Sequence, residues 1–315
     1  SQACLNTGRE IPSVATESPA LHQKPQWSLP NKAPLVAALV ALGFTVFIAR
    51  HMMEGYQLDD RVDISAHRGA SLEAPENTIS AIEQAIAAGA DFVEFDVQRT
   101  SDGVIVVNHD ADLMRVGKSP LVVSQSTLED LQTVDIGSYF SPDFADERIA
   151  TLEEVIDLTQ GKIKLIVELK SYKDDSPRLV AEVIDILRAH QLENDAVIMS
   201  LKYDEVVEVE RIAPEFISGF VASASLGNIA KLEADFLAVS KKQATEAFVM
   251  DVHASDKEIF VWTVDEPKTM ATMIDRGVDN IITNDPATAV VVLNEREDLS
   301  NVERILLHFK SLYLD

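Results

Sequence analysis

The chain predicts an α/β fold: a (β/α)8 TIM barrel with a small insertion after the second strand, preceded by a transmembrane helix. Three observations carry that reading. From residue 63 onward, short apolar runs alternate with helix-patterned stretches, eight strands in all. Those runs are nearly continuous in Val, Ile and Phe, as in strands covered on both faces. The length, 315 residues, accommodates a barrel of about 250 residues and an appendage. A doubly wound open sheet is the alternative. It usually declares itself by a Gly-rich phosphate loop, which the chain lacks.

Residues 1–32 carry Pro12, Pro19, Pro25 and Pro30 among small polar residues, a flexible N-terminal segment with nothing to pack. Cys4 is the only cysteine, which excludes an intrachain disulfide and a Cys-rich zinc site. The surrounding Ser1-Gln2-Ala3-Cys4 loosely resembles a lipidation box, but no apolar run precedes it. With no initiator Met, the chain reads as a piece of a longer protein. Ala33 to Ala49 then holds no charge over 17 residues, and Met52 and Met53 extend the run past Arg50 and His51. A globular core helix would show a polar face and a signal-peptide core would be shorter. Residues 33–53 are therefore expected to form a transmembrane helix in the cell membrane, a single span in this fragment. The basic residues before it weakly place the acidic body outside the cytoplasm.

The barrel is expected over residues 60–293. Its strands are Val62–Ala66, Phe92–Val97, Ile163–Leu169, Ala196–Ser200, Ile217–Val221, Phe236–Val239, Ile259–Val264 and Asn280–Thr283. Helices are expected at Asn77–Ala88, Arg178–His190, Tyr203–Ile212, Ala244–His253 and Pro267–Asp275. Residues 111–149 are too long for an ordinary barrel loop and carry a helix signal of their own at Ser126–Leu131. They read as the insertion, lying over the barrel mouth and ending where Thr151-Leu152-Glu153-Glu154 opens the next helix. Residues 294–315 close the chain as an amphipathic C-terminal helix, with Val302, Ile305, Leu306 and Phe309 at helical spacing.

A formal charge of −25 excludes nucleic acid as a partner, since phosphates need a basic surface. Any anionic substrate would need a local cation, most simply a divalent metal. The residues for one lie at strand ends. His67 and Arg68 follow the first strand. Glu94 and Asp96 are two apart near the end of the second, and Glu168 and Lys170 repeat that spacing at the end of the Ile163–Leu169 strand. Residues two apart on a strand share a face, so all three pairs converge on the C-terminal mouth, where such barrels place their chemistry. Thr100-Ser101-Asp102-Gly103 is a turn signal. A reversal there makes a hairpin and returns His109 to the level of Asp96 or Phe95.

Glu94, Asp96 and Glu168 are hard oxygen ligands suited to Mg²⁺ or Ca²⁺. Glu94 and Asp96 sit within an apolar run, where unpaired charge is costly, and Arg68 and Lys170 are too few to balance three carboxylates. Two histidines flanking a phosphorus make a general base and a general acid, their order left open. Arg68 and Lys170 would offset phosphate charge.

Together these motifs resemble the glycerophosphodiester phosphodiesterase family. They are His67-Arg68-Gly69, Pro75-Glu76-Asn77-Thr78, Glu94-x-Asp96-Val97, Thr100-x-Asp102-Gly103, His109-Asp110, Thr151-Leu152-Glu153-Glu154, Glu168-x-Lys170, Trp262-Thr263-Val264 and Gly277 to Pro286. The resemblance runs from about Asp63 to Ala289. It implies metal-dependent hydrolysis of glycerophosphodiesters to glycerol 3-phosphate and an alcohol. It implies a divalent ion on Glu94, Asp96 and Glu168, His67 and His109 as the acid–base pair, and Arg68 and Lys170 on phosphate. Trp262 would line the glycerol pocket, and Glu76 would support the metal or glycerol side. Two departures, Ala150 and Asn284, are expected to lie away from the chemistry. The span ahead of the barrel is similar to that of a membrane-anchored bacterial type. Lysophospholipids or polyglycerol-phosphate polymers are the alternative, lipid-derived substrates. A catalytically silent lipid-binding barrel is opposed by the intact set of histidines and carboxylates.

Overall fold

The computed structural model describes residues 38–45, 61–172, 176–223, 229–297, 299 and 303. The chain divides into two compact units, Ser1–Gln57 and Leu58–Asp315. In the first, residues 38–45 form an exposed helix, α1. Among the described residues no helix is long and apolar enough to cross a membrane. The expected span at 33–53 lies outside them apart from α1, and most of the expected helix at 294–315 lies outside them too.

The second unit is built on β1 (Asp63–His67), β2 (Phe92–Arg99), β3 (Ile105–Val107), β4 (Lys164–Leu169), β5 (Ala196–Ser200), β6 (Ile217–Ala222), β7 (Phe236–Ser240), β8 (Glu258–Trp262) and β9 (Asn280–Thr283). Eight of these run parallel in the order β1-β9-β8-β7-β6-β5-β4-β2, and pairing of β1 with β2 closes the ring. Closure satisfies every edge that a row of parallel strands would otherwise leave open. Helices α2 (Ile79–Ala88), α5 (Leu152–Thr159), α6 (Ser176–Ala189), α7 (Tyr203–Ile212), α8 (Glu246–His253), α9 (Pro267–Asp275) and α10 (Pro286–Glu297) follow strands in turn.

Alternation along each strand builds two cores. Val93, Phe95 and Val97 of β2 and Leu165, Val167 and Leu169 of β4 face outward into the main core shared with the helices. Phe92 and Ile166 face inward with Met199, Val221, Phe236 and Phe260. Phe236 and Phe260 stack with centroids 4.1 Å apart and fill the lumen. Gly219 makes room for them, since a Cβ there would stand 2.1 Å from the Phe236 ring. Continuing the inward set by two residues reaches Glu94 on β2 and Glu168 on β4, and two more along β2 reach Asp96. These carboxylates are therefore the layer directly above an apolar floor.

Helix α2 starts two residues later than its periodicity predicts. Thr78 caps it by accepting the Ala81 N–H, and Asn77 turns left-handed at φ 59°. α5 opens with a full capping box between Thr151 and Glu154. The turn at Thr100–Gly103 folds β3 back antiparallel on β2, pairing Val97 with Val107 and Arg99 with Ile105. The Thr100 hydroxyl accepts the Val104 N–H at 2.8 Å, and Gly103 takes φ 91°. Beyond β3, residues 111–149 carry short helices α3 (Met114–Gly117) and α4 (Leu128–Leu131). They close over a small core of their own, Leu113, Val116, Val123, Leu131, Ile136 and Ile149, seated on Val106 of β3.

Candidate active site

Oxygens of Glu94, Asp96 and Glu168 lie within 4.8 Å of one another, on side chains that are buried. Each has a different set of neighbours. Glu94 accepts the Arg68 backbone N–H on Oε2 at 2.8 Å, and its Oε1 is buried with no hydrogen-bond partner. Asp96 accepts from Asn77 Nδ2 at 2.8 Å on Oδ2. Its Oδ1 lies 3.2 Å from Lys170 Nζ but receives no aligned hydrogen bond. Glu168 is bonded by Lys170.

Burial and the charge on Asp96 push Glu94 up to about 8, against the pull of Arg68. The same two causes raise Glu168 to about 7, against Lys170. Burial also acts to raise Asp96, but Lys170, Arg68 and His109 outweigh it and hold that carboxyl below its ordinary range. One carboxylate is thus stabilised by protein cations while the other two are short of positive charge. Two orphaned buried oxygens in an all-oxygen donor set fit a small hard cation, Mg²⁺ or Ca²⁺, which Glu94, Asp96 and Glu168 would hold.

His67 ends β1 facing the lumen. Its Nδ1 is 2.7 Å from Asn284 Oδ1, which also accepts from Ser71 Oγ at 2.8 Å. The orientation of that amide is settled by Asp265, which accepts from both Asn284 Nδ2 and Asn284 N at 2.8 Å. Asn284 Oδ1 can only accept, so His67 Nδ1 carries the proton and Nε2 keeps its lone pair. Burial and the adjacent Arg68 hold His67 below its ordinary value, partly countered by Asn284. Asn284, expected to lie away from the chemistry, is instead the direct partner of His67. Sequence order hid this because 217 residues separate the two.

His109 sits on the chain leaving β3, where Asn108 N donates to Asp96 O at 2.9 Å. Continuing the β2–β3 register puts it level with Phe95. Its Nδ1 is 2.7 Å from Asp110 Oδ1, and its carbonyl accepts from Tyr172 Oη at 2.6 Å. Burial lowers its pKa, while Asp96 and Asp110 oppose that shift. Asp110 is held in turn by Arg115 Nε at 2.7 Å. Arg115 also forks onto Glu76, Nη1 to Oε2 at 2.7 Å and Nη2 to Oε1 at 2.8 Å. Glu76 takes a further bond from Arg68 Nη1 at 2.8 Å. A chain of charges therefore links the two histidine loops: Arg68, Glu76, Arg115, Asp110, His109.

His67, Arg68, His109, Glu168, Lys170 and Trp262 line one cavity of about 100 Å³ at the barrel mouth. The indole Nε1 of Trp262 is buried without a partner. Glu94 and Asp96 touch the cavity's lining residues: Glu94 accepts the Arg68 backbone N–H, and Asp96 lies 3.2 Å from Lys170 Nζ and 3.4 Å from Arg68 Nε. Glu76 is not among the cavity residues; the two arginines hold it to one side. Sequence reasoning missed Asn77, Asp265, Asn284, Tyr172 and Arg115. Asn77 and Asn284 lie inside motifs already singled out. Arg115 gives no local signal, since its partners Glu76 and Asp110 are brought to it only by the folded insertion.

Residues 67–288 match the glycerophosphoryl diester phosphodiesterase family. The chain is 34% identical over 232 residues to a glycerophosphodiester phosphodiesterase of Caldanaerobacter subterraneus, covering 72% of this chain and 96% of that one. It is 30% identical over 277 residues to one from Bacillus subtilis, covering 81% and 94%. Among solved structures, a phosphodiesterase of Oleispira antarctica in complex with sn-glycerol-3-phosphate superposes with a TM-score of 0.70 at 24% identity, covering 74% and 96%. A glycerophosphodiester phosphodiesterase of Parabacteroides distasonis gives 0.66 at 27% identity, covering 76% and 99%.

Proposed function

The chain belongs to the glycerophosphoryl diester phosphodiesterase family and is a phosphoric diester hydrolase, and from that premise we propose how it acts. It hydrolyses glycerophosphodiesters to glycerol 3-phosphate and an alcohol, with a divalent cation on Glu94, Asp96 and Glu168 and proton transfer by His67 and His109. The observation that carries this reading is the pair of orphaned oxygens, Glu94 Oε1 and Asp96 Oδ1, beside a cavity lined by both histidines. The bound product of the Oleispira antarctica neighbour supports the substrate class.

The hydrogen bonds support different work for the two histidines. His67 presents a lone pair on Nε2 and leans on a neutral amide, so it takes a proton from the attacking hydroxyl, that of water or that of the substrate glycerol, the second route forming a cyclic phosphate that water then opens to glycerol 3-phosphate. His109 leans on the Asp110 carboxylate, which supports its protonated form against the burial that lowers its pKa, and we assign it the proton given to the departing alkoxide. Arg68 and Lys170 hold the phosphate, and Trp262 Nε1, otherwise unpaired, donates to the glycerol end. When bound, the cation would neutralise charge on the non-bridging oxygens. Residues 33–53 tether the enzyme to a membrane, a reading supported by the uncharged run from Ala33 to Ala49.

The test is release of glycerol 3-phosphate from glycerophosphocholine, glycerophosphoethanolamine and glycerophosphoglycerol, with chelator and with each divalent metal restored. Turnover untouched by chelator sinks the metal assignment. Full activity in His67→Ala or His109→Ala sinks the acid–base pair. A full-length chain that leaves the membrane fraction on a high-salt wash sinks the tether.

A further inference from the structure

A second cavity, of about 160 Å³, shares Lys170 with the first and is lined by Arg99, Ala111, Val122, Lys170, Tyr172 and Leu179, with Gln98, Ser124 and Ser171. We propose that it receives the leaving alcohol, and that it selects an uncharged alcohol of about six carbons over a quaternary ammonium. The inference rests on the hydrolysis proposed above and adds the identity of the alcohol.

Three features place the alcohol there. Lys170 lines both cavities, so the residue proposed to hold phosphate stands between them. Lys170 follows β4, and in the ring of eight β4 stands four strands from β8 in either direction, directly across the barrel. A diester whose glycerol end rests at Trp262, at the end of β8, therefore points its other substituent over β4 into the second cavity. Finally, that cavity flanks His109. Tyr172, in its wall, donates to the His109 carbonyl, and Ala111 lies two residues further along the chain. The group that protonates the departing oxygen and the room for the departing alcohol are neighbours, as in-line displacement demands.

Size and charge define the occupant. A buried apolar cavity of about 150 Å³ accepts benzene, so this one takes a six-carbon group. Ala111, Val122 and Leu179 offer hydrocarbon. The two cations in the wall, Lys170 and Arg99, are each already paired, Lys170 with Glu168 and Arg99 with Glu182 at 2.6 Å, and no described lining residue is a carboxylate. A trimethylammonium would meet no lining carboxylate and a single aromatic ring, Tyr172, where recognition of such groups uses a cage of several.

The test uses the whole chain and three esters of glycerol 3-phosphate: the choline ester, its uncharged isostere with 3,3-dimethylbutanol, and the methyl ester. The dimethylbutyl ester is expected to exceed the choline ester tenfold or more in kcat/KM. Ser124→Glu, which adds the missing carboxylate, is expected to reverse that order. Val122→Trp, which fills the cavity, is expected to lower the ratio of dimethylbutyl to methyl ester turnover at least tenfold. Equal turnover of the matched pair, or preference for choline, in an enzyme that cleaves the methyl ester overturns the subsite alone. Loss of all turnover, methyl ester included, overturns the hydrolysis reading and the subsite with it.

Discussion

Arg115→Ala removes three charge-assisted hydrogen bonds, two to Glu76 and one to Asp110, without touching the cavity itself. The Arg115 side chain is 44% exposed and Glu76 17%. Solvent screening therefore reduces each bond toward the exposed-pair value of roughly 0.5 kcal/mol, and the three together contribute about 1–2 kcal/mol. For a domain this size that lowers Tm by about 3–6 °C. The catalytic effect is larger. Asp110 keeps only His109 as a partner, so the imidazole loses its outer anchor, and a misplacement of about 1 Å costs about 10²-fold in rate. The expected result is kcat reduced about 10–100-fold with KM nearly unchanged, since Arg68 and Lys170 stay in place. Arg115→Lys should recover little, because an ammonium cannot fork onto a carboxylate. Steady-state release of glycerol 3-phosphate and a thermal melt on each variant supply both numbers. A kcat within twofold of wild type at a lowered Tm refutes the reasoning, for it means Asp110 orients His109 unaided.

Other outcomes follow from the same geometry. Glu94→Gln should cost about 10³-fold in kcat/KM, the several kcal/mol a bound cation supplies, yet melt above wild type in chelator at pH 8, because it deletes a buried charge; only wild type should gain Tm when metal is added. Asn284→Leu removes one of the hydrogen bonds to Asp265 and frees His67 Nδ1, and should lower kcat about 10–100-fold, with the imidazole nitrogen shifts in NMR showing loss of the single Nδ1–H tautomer. At the opposite end of the barrel, burial and the facing Asp279, Asp63 and Asp235 hold Glu258 above its ordinary pKa, against the pull of His253. A carboxyl raised in the folded state favours folding while protonated, and that contribution fades as pH climbs past its ordinary value toward the raised one. Glu258→Gln should therefore raise Tm by about 1–3 °C at pH 7, with the gain gone at pH 4, and a gain that grows on acidification would contradict the assignment.

The barrel was legible because its strands are short apolar runs bounded by turns, and the interior–exterior alternation of β2 and β4 is written in their residue order. The convergence of Glu94, Asp96, Glu168 and Lys170 came from the same period-two pattern. The hairpin was legible from Thr100–Gly103, whose turn chemistry sets the register that returns His109 to the rim. Partners were not legible. Asn284 reaches His67 across the β1–β9 seam, and Arg115 reaches Glu76 from an insertion whose fold depends on a seven-residue apolar cluster rather than on any periodic element. Pairings of that kind exist only after closure, and no local propensity announces them.

The stacked Phe236 and Phe260 beneath the carboxylates have a kinetic consequence. They stopper the barrel, so an ion and a diester would share one doorway at the mouth. On the proposed metal site a cation would not pass a seated diester in either direction, and the expected order of loading is ion first, substrate second. Chelator should accordingly strip the enzyme more slowly when glycerol 3-phosphate saturates it, the product serving as a temporary cork.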